Sequence, residues 1–275
     1  MRGRSGGSGP RPEAEERLIV ALDLPDLQPA LGMARQLFPL VRWFKVGLEL
    51  YSAAGPEVIR VLKGMGAKVF VDLKLHDIPH TVGRAAAVLA REGADMFTVH
   101  AAGGSAMLAE ALAAAASAPA VGGVAAGGAA GSAGARVLAV TVLTSLGSED
   151  LREQGIRRSV QGQVVSLARC ALRAGVQGLV ASPQEAARLR RLLGWDWLLV
   201  TPGIRPAAGA GAGDDQKRVA TPGAAVAAGA DYLVVGRPIT RADNPRQAAA
   251  YVLAQMQEAS ERFDWQNGCR EVYRI

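Results

Sequence analysis

Short apolar runs alternate with alanine-rich stretches of helical period across residues 17–262, and this rhythm limits the possible folds more than any other feature of the chain. The apolar runs read as strands near 18–22, 43–47, 68–73, 96–100, 137–143, 178–181, 198–201 and 232–235. Helical patterns lie near 27–38, 54–64, 79–92, 104–117, 159–174, 183–193, 221–228 and 244–260. The strands lack a clean apolar–polar alternation, as expected when both faces are covered and neighbours run parallel. Eight such pairs favour an α/β fold of the closed (β/α)8 TIM-barrel type over an open doubly wound sheet. With 275 residues, 49% of them hydrophobic, the chain can bury one sizeable core. No break in composition divides 17–262, so a single catalytic-type domain is expected. Residues 1–16 read as a disordered N-terminal arm and 263–275 as a C-terminal tail.

Two segments interrupt the rhythm. Residues 118–135 are almost all Ala and Gly and read as a flexible surface insertion before the fifth strand. Residues 207–213 are similar but follow the seventh strand, on the side where a barrel builds its active face. They read as a mobile lid or as a slack linker.

Composition narrows the function. No apolar run reaches the ~18 residues that span a bilayer, and the polar start of the chain lacks a signal-peptide core. The cysteines, Cys170 and Cys269, form no metal-type pair, which fits a reducing cytoplasm; Cys170 reads as a small buried hydrophobe. A net charge of +6 would suit nucleic acid, but the arginines are dispersed and aromatics are only 5%. A small anionic substrate explains local positive charge more economically.

In a barrel, functional side chains gather at the carboxyl ends of strands. Asp23 ends the first strand, Lys45 lies in the second, and Asp72, Lys74 and Asp77 close the third. Strand alternation puts Asp72 and Lys74 on one face, so a carboxylate and an ammonium stand side by side there. Two acids flanking a lysine cost desolvation, and a fold seldom places them there for stability alone. Thr144 and Ser145 follow the fifth strand, Pro202-Gly203-Ile204-Arg205 the seventh, and Gly236-Arg237 the eighth. The last two loops fit phosphate, with close backbone approach at Gly236 and a bidentate fork at Arg237; Gln216 offers a further amide donor. The plainer alternatives are a tight turn at Gly236 and a surface ion pair at Arg237.

The pattern Asp72-x-Lys74-x-x-Asp77-Ile78-Pro79-x-Thr81-Val82 resembles the signature of the orotidine 5′-phosphate decarboxylase family. Ala21-Leu22-Asp23, Phe44-Lys45-Val46-Gly47, Leu143-Thr144-Ser145, Thr201-Pro202-Gly203-Ile204-Arg205, Gln216-Lys217-Arg218 with Thr221-Pro222, and Gly236-Arg237-Pro238 are similar to its bacterial form, in the same order. The Asp-x-Lys-x-x-Asp core is shared with sugar-phosphate relatives, whereas the Ile-Pro-x-Thr continuation and the Gln-Lys-Arg segment are more specific.

The resemblance implies decarboxylation of orotidine 5′-monophosphate to uridine 5′-monophosphate, the last step of UMP biosynthesis, without metal or organic cofactor. It implies Lys74 as proton donor and electrostatic stabiliser, with Asp72 close to the departing carboxylate. Lys45 would bond Asp72 and the ribose, and Asp23 a ribose hydroxyl. Thr144 and Ser145 would contact the pyrimidine, while Arg205, Gln216, Gly236 and Arg237 grip the phosphate; Ile78, Thr81 and Pro202 would also line the site. Asp77 would be given to the neighbouring subunit of a homodimer with shared sites. Two other classes are possible on the residues alone. A metal-dependent sugar-phosphate enzyme of the superfamily would want a carboxylate such as Glu where Lys45 stands, and a nucleotide-binding protein would bind without turnover.

Other chemistry-bearing residues have simpler explanations. His76 and His80 have the i, i+4 spacing of a helical zinc pair, but Pro79 lies between them at a strand-to-helix turn, so capping or hydrogen bonding to a neighbouring site residue is the better reading. Asp77 is also placed to N-cap the helix that Pro79 begins. Asp95, before the fourth strand, reads as structural.

Overall fold

The chain closes into a barrel, seen in a computed structural model that describes residues 14–118, 134–206 and 218–262. Eight parallel strands follow chain order around the ring: β1 (Leu18–Ala21), β2 (Trp43–Gly47), β3 (Lys68–Leu75), β4 (Met96–His100), β5 (Arg136–Val140), β6 (Gly178–Val180), β7 (Leu198–Thr201) and β8 (Tyr232–Val235). β8 pairs back onto β1, with Leu18 opposite Leu233. The helices are α1 (Leu27–Leu37), α2 (Leu48–Ala54), α3 (Glu57–Gly64), α4 (Pro79–Arg91), α5 (Gly104–Ser117), α6 (Ser148–Glu153), α7 (Val160–Ala174), α8 (Pro183–Leu193), α9 (Pro222–Ala227), α10 (Arg237–Thr240) and α11 (Pro245–Arg262). Of the arm expected over 1–16, Ala14–Glu16 is a 3-10 turn and 1–13 lie outside the described residues. Most of the 118–135 insertion, the 207–213 lid, Gln216, Cys269 and the 263–275 tail also lie outside them.

Two hydrophobic layers divide the strand residues between them. Ile19, Ala21, Trp43, Phe70, Met96, Leu138, Val200, Tyr232 and Val234 pack inside the barrel, where Trp43 meets Tyr232 edge to face with ring centroids 5.4 Å apart. The alternate residues, such as Leu18, Val20, Phe44, Val69, Phe97 and Val137, pack outward against the helices. Both faces are therefore buried, which is why the strands read as continuous apolar runs. The inward set also determines which polar residues reach the barrel mouth: stepping by two from Ile19, Trp43, Phe70 and Met96 leads to Asp23, Lys45, Asp72 and Thr98 near the carboxyl rim. At the opposite rim, Asp95 accepts Lys63 Nζ at 2.8–2.9 Å and the Val69 N–H at 2.7 Å, a staple for β3 and β4.

The strand and helix expectations differ from the structure at several places, among them the unexpected short helices α6 and α10. The stretch expected as one helix near 54–64 belongs to two, α2 and α3, because Gly55 turns to φ 60° and Pro56 starts a new helix. β5 stops at Val140 and not at 143, because the carbonyls of Val142 and Leu143 accept from Arg218. β3 runs on to Leu75 past an irregularity opposite β4.

The tightness of the barrel wall is testable at Gly178. A Cβ there would meet Leu138 Cδ2 and Leu198 Cβ at 2.7 Å, whereas one on exposed Gly32 in α1 would meet nothing within 4 Å. Gly178→Ala should lower unfolding stability by ~1–3 kcal/mol, and Gly32→Ala should raise it by up to ~1 kcal/mol through helix propensity. Denaturant melts of the two variants check the contrast.

Candidate active site

Four charged side chains form a continuous ion-pair chain across the ends of three neighbouring strands. Lys45 Nζ lies 2.8 Å from Asp23 Oδ1 and 3.7 Å from Asp72 Oδ2. Lys74 Nζ lies 3.0 Å from that same Asp72 Oδ2. The order is Asp23, Lys45, Asp72, Lys74, alternating in sign from β1 to β3. Its inner members are buried and its ends open: Lys45 and Asp72 side chains are 11% and 14% exposed, against 55% for Asp23 and 32% for Lys74. Gly47 keeps the array compact, since a Cβ there would sit 2.8 Å from both Asp23 Oδ1 and Lys45 Nζ.

The fourth strand completes the array through Thr98, a residue that no sequence motif singles out. Its hydroxyl donates to Asp72 Oδ1 at 3.0 Å and accepts the backbone N–H of Lys74 at 2.8 Å. Lys74 itself has φ 52°, and among the described residues no other non-glycine has a positive φ. The signal in the sequence is parity, because Thr98 is two residues from Met96 on the inward face.

These surroundings set the charge states. Burial pushes the Asp72 carboxyl up, but Lys45, Lys74 and the hydrogen bonds from Lys74 and Thr98 outweigh it, so its pKa lies below the ordinary 3.8. Burial pulls the Lys45 ammonium down, yet Asp72 and Asp23 outweigh it and hold its pKa above 10.5. Both stay ionised at neutral pH.

The other expected site residues take varied positions. Thr144 and Ser145 form the turn between Leu143 and Leu146 at the end of the β5 loop. Arg218, another residue to which the sequence attaches no role of its own, ties this loop down: it bonds the Leu143 carbonyl at 2.8 Å and pairs with buried Glu185 at 2.5 Å. Pro202 and Arg205 follow β7, where the Arg205 N–H donates to the Ala220 carbonyl and the Ala220 N–H donates to the Gly203 carbonyl. Gly236 and Arg237 open α10 beside the β1 end, and a Cβ on Gly236 would lie 3.9 Å from Asp23 Oδ2. The loop after β8 thus borders the ion-pair chain on its Asp23 side.

Asp77 does not join its own chain's array. It is exposed, its Oδ1 accepts the neighbouring Ile78 N–H at 2.6 Å, and it forms no ion pair among the described residues. Nor does it cap α4, contrary to the expectation from sequence: Ile78 occupies the N-cap position with Pro79 after it. Ile78 is 66% exposed, and Thr81 is exposed in the first turn of α4. His76 pairs with His100 and not with His80, the two rings stacking at 5.2 Å and 13°. His100 Nδ1 accepts the Ala102 N–H, and burial, then His76, then Lys74, lower its pKa.

A closed (β/α)8 barrel with alternating acids and lysines gathered at the carboxyl ends of its strands has the architecture of a barrel enzyme. Residues 16–252 match the family described as Orotidine 5′-phosphate decarboxylase / HUMPS, and the chain belongs to that family. Orotidine 5′-phosphate decarboxylase of Moorella thermoacetica is 48% identical over 248 residues, covering 90% of this chain and 94% of that protein. The protein of the same name from Heliobacterium modesticaldum is 47% identical over 252 residues, covering 91% and 99%. The crystal structure of orotidine 5′-phosphate decarboxylase from Lactobacillus acidophilus superposes with a TM-score of 0.74 at 39% identity, covering 88% of this chain and 99% of that one.

The charge states lead to a pH prediction. A carboxyl with a depressed folded pKa stabilises the fold above its ordinary pKa and loses that contribution as pH falls through and below about 3.8. The thermal midpoint of the parent should therefore fall more steeply between about pH 5 and pH 3 than that of Asp72→Asn, which has no proton to take up. Parallel curves would show that Asp72 is not held ionised by the array.

Proposed function

We propose that the protein converts orotidine 5′-monophosphate to uridine 5′-monophosphate and carbon dioxide, the closing step of UMP synthesis. The observation that carries this reading is the Asp23–Lys45–Asp72–Lys74 ion-pair chain at the barrel mouth, with Lys74 Nζ 3.0 Å from Asp72. The named relatives support it, and so does Lys45, which occupies the place where a metal-dependent sugar-phosphate enzyme would want a carboxylate.

The chemistry follows from the charges. When the bond between the pyrimidine carbon and its carboxylate breaks, carbon dioxide departs and the electron pair stays on the ring carbon. The Lys74 ammonium stabilises that charge and then transfers a proton to the carbon, leaving a neutral amine that water reprotonates. Asp72 holds Lys74 in place through the 3.0 Å ion pair. Lys45 bridges Asp72 and the ribose, and Asp23 takes a ribose hydroxyl. Thr144 and Ser145 face the pyrimidine, with Ile78, Thr81 and Pro202 along the wall. Arg205, Gly236 and Arg237, joined by Gln216, grip the phosphate, and binding energy released there favours the reactive arrangement at a distance. No metal or cofactor has a part in these steps.

The working unit in this proposal is a homodimer in the cytoplasm. Asp77, exposed and unpaired with its own array, reaches the neighbouring site, and a second copy covers the exposed Leu48 and Ile78 on the same rim.

The test is loss of substrate absorbance with purified protein. Turnover should proceed in the presence of a chelator, and Lys74→Ala should lose ~10²–10⁴-fold in rate; a loss within tenfold would remove Lys74 as proton donor. Arg237→Ala should raise KM for the nucleotide while leaving its phosphate-free nucleoside little changed. Mixing inactive Lys74→Ala and Asp77→Ala protomers should restore up to about a quarter of parental activity, because random pairing of a two-fold dimer yields one intact site in half the dimers. No recovery would count against sharing of Asp77.

A further inference from the structure

The geometry points to Thr98 as a positioning residue for the decarboxylation: one hydroxyl sets both the carboxylate of Asp72 and the backbone from which Lys74 projects. The inference rests on the decarboxylase reading above and adds a residue that never needs to touch the substrate.

Strand register is where the role of Thr98 originates. β3 and β4 pair Val71 with Phe97 and then Leu75 with Val99, with a register shift between them. Four steps on β3 therefore match two on β4 (75 − 71 against 99 − 97), and Thr98 alone faces the extra residues. Such a bulge re-aims side chains and leaves N–H groups without ladder partners. Asp72 and Lys74 both lie inside it. Lys74 takes φ 52°, a conformation that a lysine adopts only when its surroundings enforce it. The enforcing contact is the Lys74 N–H to Thr98 Oγ1 bond at 2.8 Å, made in place of a ladder bond.

The same oxygen donates its proton to Asp72 Oδ1 at 3.0 Å, leaving Oδ2 to face Lys74 Nζ at 3.0 Å and Lys45 Nζ at 3.7 Å. Thr98 thus fixes the rotation of the carboxylate and the direction of the lysine together. It is fully buried, so no water can replace the hydroxyl without displacing packed neighbours. The charged groups facing Asp72 are Lys45 from β2 and Lys74 from β3; β4 contributes the neutral hydroxyl, which orients the carboxylate without adding charge.

Thr98→Val keeps the shape and β-branching of the side chain and deletes only the hydrogen bonds, whereas Thr98→Ser keeps the hydroxyl and deletes a methyl. Thr98→Val should lower kcat for orotidine 5′-monophosphate by roughly 10- to 100-fold, the scale of a lost hydrogen bond to a charged group. Its KM should stay within about threefold, since the ribose and phosphate contacts are untouched. Thr98→Ser should return kcat to within about fivefold of the parent. A merely structural threonine predicts the opposite order, because serine leaves a cavity and valine does not. Thr98→Val with parental kcat, a loss confined to KM, or a serine variant no better than the valine variant overturns the proposal. Lys74→Ala, assayed alongside, separates the two failures. If it keeps its rate within tenfold, the proton-donor reading fails and takes the positioning role with it. If it is inactive while Thr98→Val is fully active, only the role of Thr98 is lost.

Discussion

The Asp72 carboxylate receives Lys74 and Lys45 on one oxygen and the Thr98 hydroxyl on the other, and the arrangement of the barrel mouth depends on that shared anchor. A carboxylate this poorly exposed would be costly alone, and two lysines in the same space would repel each other. Together the charges offset the burial of each, and removing one member of such a buried set typically costs ~3–5 kcal/mol. The barrel makes the arrangement possible, because three adjacent parallel strands bring inward residues to one height. A single strand could align two of these side chains at most.

The anchor is fixed and the rim around it is open. The inner pair, Lys45 and Asp72, is buried, while Asp23 and Lys74 reach solvent at the two ends. Asp23 stands near Gly236 at the start of α10, and Lys74 stands near His76, His100 and the exposed turn at Asp77 and Ile78. Under the proposed function, this polarity orients the nucleotide with its phosphate toward β7 and β8 and its reacting ring over β3. Arg218, from the segment after β7, ties down the β5 loop by bonding the carbonyls just before Thr144.

Much of this is legible in the chain because a period of two carries it. Asp23, Lys45 and Asp72 lie on the same parity as Ile19, Trp43 and Phe70, so the strand pattern alone sends them inward. Thr98 obeys the same rule beside Met96, but threonine is common in strands for its shape, and a sequence does not display the partners of its hydroxyl. The left-handed turn at Lys74 has no sequence signal, since it arises from a register shift against β4 and not from any glycine. Arg218 is equally opaque, its partners lying 33 and 75 residues away. Asp77 has the look of a helix cap, and only the turn geometry puts Ile78 in that position.

A crystal structure with uridine 5′-monophosphate bound tests the central claim most directly, because it places the reacting carbon against the array. The account predicts the pyrimidine carbon that loses the carboxylate within ~3–3.5 Å of Lys74 Nζ, and the phosphate between Arg205, Gly236 and Arg237. A nucleotide bound with that carbon remote from Lys74, or with its phosphate away from the β7 and β8 loops, would contradict it.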